Sequence, residues 1–124
     1  MEIHIPEGEP MLPESCVASV EASRSFFERY FPSFHYVFYT CHSWLLDREV
    51  TALAGEGSNI AAFARLFKIT REDESDALFK YIFKWNATRD MLPAYEARSS
   101  LARKVKEAGM SGVRFHESLG YIPK

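Results

Sequence analysis

Apolar and polar positions alternate through Glu2-Ile3-His4-Ile5 up to Pro6, which predicts a strand over residues 2 to 6. A stripe at helical spacing follows. Cys16, Val20, Phe27 and Phe31 share one face of a helix over residues 13 to 31, with Pro13 in its first turn and Pro32 after its end. Next comes the central stretch, Val37-Phe38-Tyr39-Thr40-Cys41-His42-Ser43-Trp44-Leu45-Leu46-Asp47, β-branched and aromatic at first and chemically capable at its far end. Asp47 stands as N-cap for a helix over residues 47 to 54, with Leu46, Val50 and Leu53 on one side and Gly55-Glu56-Gly57 as its break. Ser58 caps a further helix carrying Ile60, Phe63 and Phe67, and residues 67 to 71 extend as a strand. Arg71 to Asp76 reads as a solvated acidic turn.

Residues 76 to 85 fit a helix through Leu78, Tyr81, Ile82 and Trp85, and a strand through the Phe79/Tyr81/Phe83 alternation; the cap offered by Ser75 and Asp76 favours the helix. Residues 86 to 98 are loop-like around Leu92-Pro93. Ser99 or Ser100 caps the last helix, which turns Leu101, Val105 and Ala108 inward and stops at Gly109. Gly112 to Ile122 closes the pattern as a strand, with Gly120 at a bulge. Helices interleaved with strands predict an α/β (α+β) domain, a small mixed sheet of about four strands with parallel crossovers.

Composition narrows the function classes. A chain of 124 residues makes one domain, 1-124, with one sizeable core. A net charge of -2 without a basic block argues against a nucleic-acid partner. Two cysteines, Cys16 and Cys41, form no spaced framework and read as free thiols of a reducing, cytoplasmic compartment. No apolar run is long enough for a membrane span. An opening strand without lead-in fits the C-terminal part of a larger protein.

Several residues together point to a family. Ile3-His4-Ile5-Pro6 with Gly8, Phe26-Phe27, Thr40 to Asp47, Ser58-Asn59-Ile60 with Phe63, Leu92-Pro93, Ser99-Ser100-Leu101 and the closing Gly-Tyr-Ile resemble the GNAT-like C-terminal domain of bacterial acyltransferase-domain proteins. The resemblance implies the acyl-CoA-binding half of an N-acyltransferase, in which two parallel strands splay and the cofactor's pantetheine enters the gap. It makes residues 2 to 6 and 36 to 46 those strands, and sets His4 opposite Cys41 and His42. The superfamily's glycine-rich phosphate loop is replaced here by Pro6-Glu7-Gly8-Glu9-Pro10, whose carboxylates repel a pyrophosphate and whose prolines lack amide donors.

On this reading His42 is the candidate general base for an attacking amine, and Ser43 the candidate proton donor to the CoA thiolate. His4, Pro6, Gly8, Cys41, Trp44, Ser58 and Asn59 are candidate contacts to acyl-CoA. Each has a plainer role: His42 and Ser43 as hydrogen-bonded strand-end residues, Cys41 and Trp44 as core, Ser58 as a cap. Cys41 and His42 are adjacent on a strand, so they face opposite ways and form no catalytic dyad. His4, Cys41 and His42 lack the spacing of a metal site, and no metal is expected. His35 and His116 stay unassigned. Three functions remain open: an acyltransferase acting on an unknown amine, a non-catalytic binding module, and a structural half that pairs with an N-terminal domain or a second copy.

Overall fold

The computed structural model describes residues 1–5 and 11–124. Among these residues five helices, α1 (Pro13–Tyr30), α2 (Arg48–Ala54), α3 (Asn59–Ala64), α4 (Leu78–Ile82) and α5 (Ser100–Met110), are interleaved with three strands, β1 (Phe38–Ser43), β2 (Lys68–Glu74) and β3 (His116–Pro123). Single 3₁₀ segments, Trp44–Leu46 and Arg89–Ala94, complete the order. The sheet runs β1-β3-β2, with both pairings antiparallel. Its parallel component comes from the first segment, where Glu2 bridges Thr40. The α/β class is thus as expected, but of the strand predicted over residues 2 to 6 the described residues 2–5 form a single bridge, leaving three strands among the described residues, with no parallel crossover between them.

Local chemistry explains the helix starts. Asp47, Ser58 and Ser99 each accept a backbone N–H of the first turn, from Glu49, Ala61 and Ala102 respectively. Gly55 ends α2 at φ 92°, ψ 153°, a conformation open essentially to glycine alone. The main core gathers Val50, Leu78, Phe79, Leu92, Val105 and Phe115. Phe79 meets Phe115 edge-to-face at 5.9 Å. A second cluster, Cys41, Leu46, Phe63 and Phe67, lies behind β1.

Four expectations need correcting. Arg71 to Glu74 is not a turn but the second half of β2, where Asp73 pairs with Glu117 and Glu74 with His116. An edge strand keeps its charges in water, so the charge pattern of a turn and that of this strand coincide. Helix α5 runs past Gly109 to Met110, because Gly109 serves packing: a Cβ there would meet Leu92 Cδ1 at 2.7 Å. The register irregularity is on β2 between Ile69 and Arg71, opposite Gly120 and not at it. Trp85 lies outside α4 and is exposed, while Phe79 fills the core in its stead.

Helix α1 departs furthest from its stripe. None of its side chains is fully buried. Cys16 and Val20 border a cavity, Cys16 also packing against the second cluster, and Phe31 is half exposed.

Candidate functional site

The first segment and β1 start as neighbours and then separate. Thr40 N–H donates to Met1 O and Ile3 N–H to Thr40 O, both at 2.7 Å. Beyond Ile3, among the described residues, no backbone hydrogen bond joins the two. A hollow of ≈ 570 Å³ opens there, with Ile3, His4 and Ile5 on one wall and Cys41 to Leu45 on the other, floored toward Tyr81 and Glu117. Five residues singled out from the sequence, His4, Cys41, His42, Ser43 and Trp44, therefore border one wedge.

Their states differ. His42 points away from the core, its Nε2 3.3 Å from Asp73 Oδ2 and its Nδ1 3.9 Å from Glu117 Oε2. Antiparallel pairing of β2 with β3 puts those two carboxylates side by side beneath it. Ser43 Oγ accepts Leu45 N–H at 3.1 Å, which caps the 3₁₀ segment and leaves its own hydroxyl proton to donate. Trp44 stacks on Tyr81, ring centroids 6.1 Å apart. Cys41 is turned to the core, and burial, with a lesser contribution from Glu2, pushes its thiol up to about 11. It stays a thiol at neutral pH, which removes it as a nucleophile. His4 is largely exposed, with Glu2 Oε2 3.6 Å from its Nε2.

Other candidates fall elsewhere. Pro6 and Gly8 lie outside the described residues. Ser58 donates to Gly55 O and accepts from Ala61 N, so its hydroxyl is fully engaged in the cap. With Asn59 it borders a separate hollow near Lys104, apart from the wedge. His35 is exposed. His116 belongs to a buried tie: Asp47 Oδ2 accepts His116 N–H at 2.9 Å, and Asp47 Oδ1 lies 3.3 Å from its Nδ1. Among the described residues, no group of three or more His, Cys, Asp or Glu could hold a metal ion.

Glu117, Asp73 and Tyr81 border or adjoin the wedge without having been marked in the sequence. Strand pairing brings Asp73 and Glu117 there, and α4 brings Tyr81. A period-two reading of residues 68–74 against 116–123 was the available signal, and the charges of β2 obscured it.

A second hollow lies beside the wedge. On the other side of residues 3–5 lies a cavity of ≈ 540 Å³ between α1, the sheet and α3, lined mainly by apolar side chains. Ile3, His4 and Ile5 border both.

The family model of the GNAT-like C-terminal domain matches residues 1–122. The chain belongs to that family. Among solved structures, the GNAT-like chain is similar to an acyltransferase in complex with decanoyl-CoA, at TM-score 0.86 and 30% identity, over 98% of this chain and 39% of that one. An acyltransferase with decanoyl-CoA and teicoplanin aligns at TM-score 0.85 and 29% identity, over 98% and 40%. One with CoA and 10C-teicoplanin aligns at 0.86 and 28%, over the same shares. The GNAT-like chain thus spans about two-fifths of the length of these acyltransferases. No curated protein matches it.

Proposed function

We propose that this GNAT-like domain binds an acyl-CoA in the wedge and takes part in acyl transfer to an amine. One observation carries the reading: a parallel backbone pairing that stops at Ile3 and Thr40 and opens into a hollow bordered by two histidines. Thr40 turns its N–H and C=O to the first segment, so strand alternation turns those of His42 the same way, into the wedge, where they can hydrogen-bond an amide-bearing arm of the pantetheine type. Acyltransferases of the same fold, holding CoA or decanoyl-CoA, support this assignment.

In the transfer the amine nitrogen attacks the thioester carbonyl, and a base takes the proton it sheds. The C–S bond breaks, and the thiolate leaves with a proton. His42 is the base in the first version of this proposal, and Ser43 the donor, since its Oγ–H remains free to point into the wedge. A second version has His4 as base, favoured by its place on the wall common to both hollows, with Glu2 Oε2 3.6 Å from its Nε2. Both ring nitrogens of His42 face carboxylates, so one must swing aside before His42 receives a proton from substrate.

Pyrophosphate recognition is weak in this reading. The start of α1, otherwise a natural anion site, carries Pro13 without an amide and Glu14 in its first turn. Affinity then rests on pantetheine and acyl contacts. Thermal shift tests it: a ligand present at a hundredfold excess over its Kd raises stability by about 2.7 kcal/mol, and no shift with acetyl-, octanoyl- or decanoyl-CoA would refute acyl-CoA binding. His42→Ala and His4→Ala, assayed by thiol release with an amine panel, separate the two bases. The true base loses turnover roughly 10²- to 10⁴-fold at unchanged CoA affinity.

The module also needs a partner in this proposal, an N-terminal domain or a second copy. Phe26, Tyr30, Phe31, Phe34, Val37 and Phe38 are each at least two-fifths exposed. Phe26, Tyr30, Phe31 and Phe34 belong to one network of ring contacts around Phe27. Apolar surface of this extent on one side of a domain marks an interaction surface.

A further inference from the structure

We infer that Glu117 is the acceptor-recognising residue of the wedge, and that the acceptor is an alkylamine which enters as its ammonium ion. The inference rests on the acyl-transfer reading above and adds the class of amine.

Strand alternation sets the placement. Ser118 is fully buried on the core side of β3, so Glu117 is turned to the opposite side, which is the side of His42. There Ser75 Oγ–H donates to Glu117 Oε1 at 3.2 Å, and Ser75 Oγ accepts Ala77 N–H at 3.1 Å. One carboxylate oxygen is thus held from the start of α4. The other, Oε2, lies 3.9 Å from His42 Nδ1, too far for a hydrogen bond.

Charge pairing singles this carboxylate out. All three acids of β2 have an arginine: Glu72 meets Arg48 at 3.6 Å, Asp73 meets Arg71 at 2.9 Å and Glu74 meets Arg114 at 3.5 Å. Glu117 has no lysine or arginine partner among the described residues, although its side chain is the least exposed of the four, at 30%. A partly desolvated carboxylate without a counter-charge is unfavourable, and a cationic guest relieves it through a charge-assisted hydrogen bond.

The rest of the wall agrees. Among the described residues that line the wedge, Glu117 is the only carboxylate and none is lysine or arginine. Trp44 and Tyr81, stacked with ring planes 21° apart, border the same hollow. A carboxylate with aromatic rings beside it is the chemistry that recognises an ammonium ion. Asp73 beside His42 and Glu2 beside His4 add to the negative field. A hydroxyl acceptor would leave Glu117 uncompensated, and an acidic one would be repelled by it.

The transfer balances with this acceptor. The ammonium gives one proton to the histidine base, and the freed lone pair attacks the thioester carbonyl. As the C–S bond breaks, the nitrogen loses a second proton and the departing sulfur gains one. The products are an amide, the CoA thiol and one proton on the base.

The test is an NMR titration of the protein with butylamine, 1-butanol and butyrate, each with and without decanoyl-CoA. Butylamine should bind, roughly tenfold or more tighter than the alcohol or the acid. Glu117→Gln keeps an acceptor for Ser75, and should weaken butylamine roughly tenfold while leaving decanoyl-CoA within about twofold. Tyr81→Leu should cost about two- to fivefold, and Glu72→Gln nothing. Should Glu117→Gln fail to fold, Glu117→Asp, which keeps the charge but withdraws it, should show an intermediate loss. Equal butylamine affinity in the parent and the Glu117 variant overturns the assignment. Butylamine no tighter than butanol, with decanoyl-CoA bound, overturns the ammonium site and keeps the acyl-CoA reading. Glu117-dependent amine binding with no response to decanoyl-CoA keeps the site and removes acyl transfer. Silence from all four compounds overturns both.

Discussion

Cys41 and Cys16 show what a residue's neighbours do to its chemistry. Desolvation raises both thiols, but Cys41 lies in the core behind β1 whereas Cys16 borders an open cavity. Iodoacetamide at pH 8 should therefore alkylate Cys16 first, slowly, and Cys41 only on unfolding; mass mapping of the labelled peptides decides it. Asp47 offers a second test. Burial pushes its carboxyl up, against the pull of His116 N–H, Glu49 N–H and the His116 ring. A folded-state value above the unfolded one means that Asp47 contributes most to stability when protonated, below the unfolded value near 3.8, and that this contribution is lost as pH rises through the folded value. Urea midpoints of Asp47→Asn against the parent, from pH 4 to 7, should show a shallower fall with pH in the variant. Asp47→Ala removes the α2 cap and orphans the His116 amide, a loss of about 2–3 kcal/mol by urea titration. His42 was readable as a candidate from its type and strand-end place, but its carboxylate neighbours were not.

Between elements, the contact of β3 with β2, with Phe67 just before it and with the Trp44–Leu46 segment depends on one missing side chain. A Cβ on Gly120 would lie 2.9 Å from Phe67 Cβ, 3.1 Å from Ile69 Cδ1 and 3.2 Å from Leu46 Cδ1. Phe67 Cβ is tied to its backbone and cannot turn away. Gly120→Ala should destabilise by about 1–3 kcal/mol in chemical denaturation, and an unchanged midpoint would mean that α3 slides freely on the sheet. The sequence marked Gly120 as special but could not say why, since the glycine relieves a contact made by a residue 53 positions away and the irregular register sits on the opposite strand. Caps and helical stripes were legible for α2, α3 and α5 because they depend on neighbours within one turn. Strand β2 was half missed because its charges satisfy an edge as well as they satisfy a turn.

For the molecule as a whole, an 18-residue helix without one fully buried side chain and a run of exposed aromatics predict association. Light scattering over a dilution series should show self-association in the absence of another domain, weakened by Val37→Asp at unchanged circular dichroism; a monomer at every concentration points to a different occupant of that face. The amino-acid order alone determined the presence of the helices, the caps of α2, α3 and α5, the central strand and the resemblance that named the family, because each follows from residue type and short spacing. Tertiary structure decided the rest. Pairing of β1, β2 and β3 set Asp73 and Glu117 around His42, and the early end of the parallel pairing at Ile3 opened the wedge. Packing of α1 against the sheet and α3 left the cavity between them. Those features are distances between segments far apart in the chain, and no local pattern encodes a distance that only chain closure and packing create.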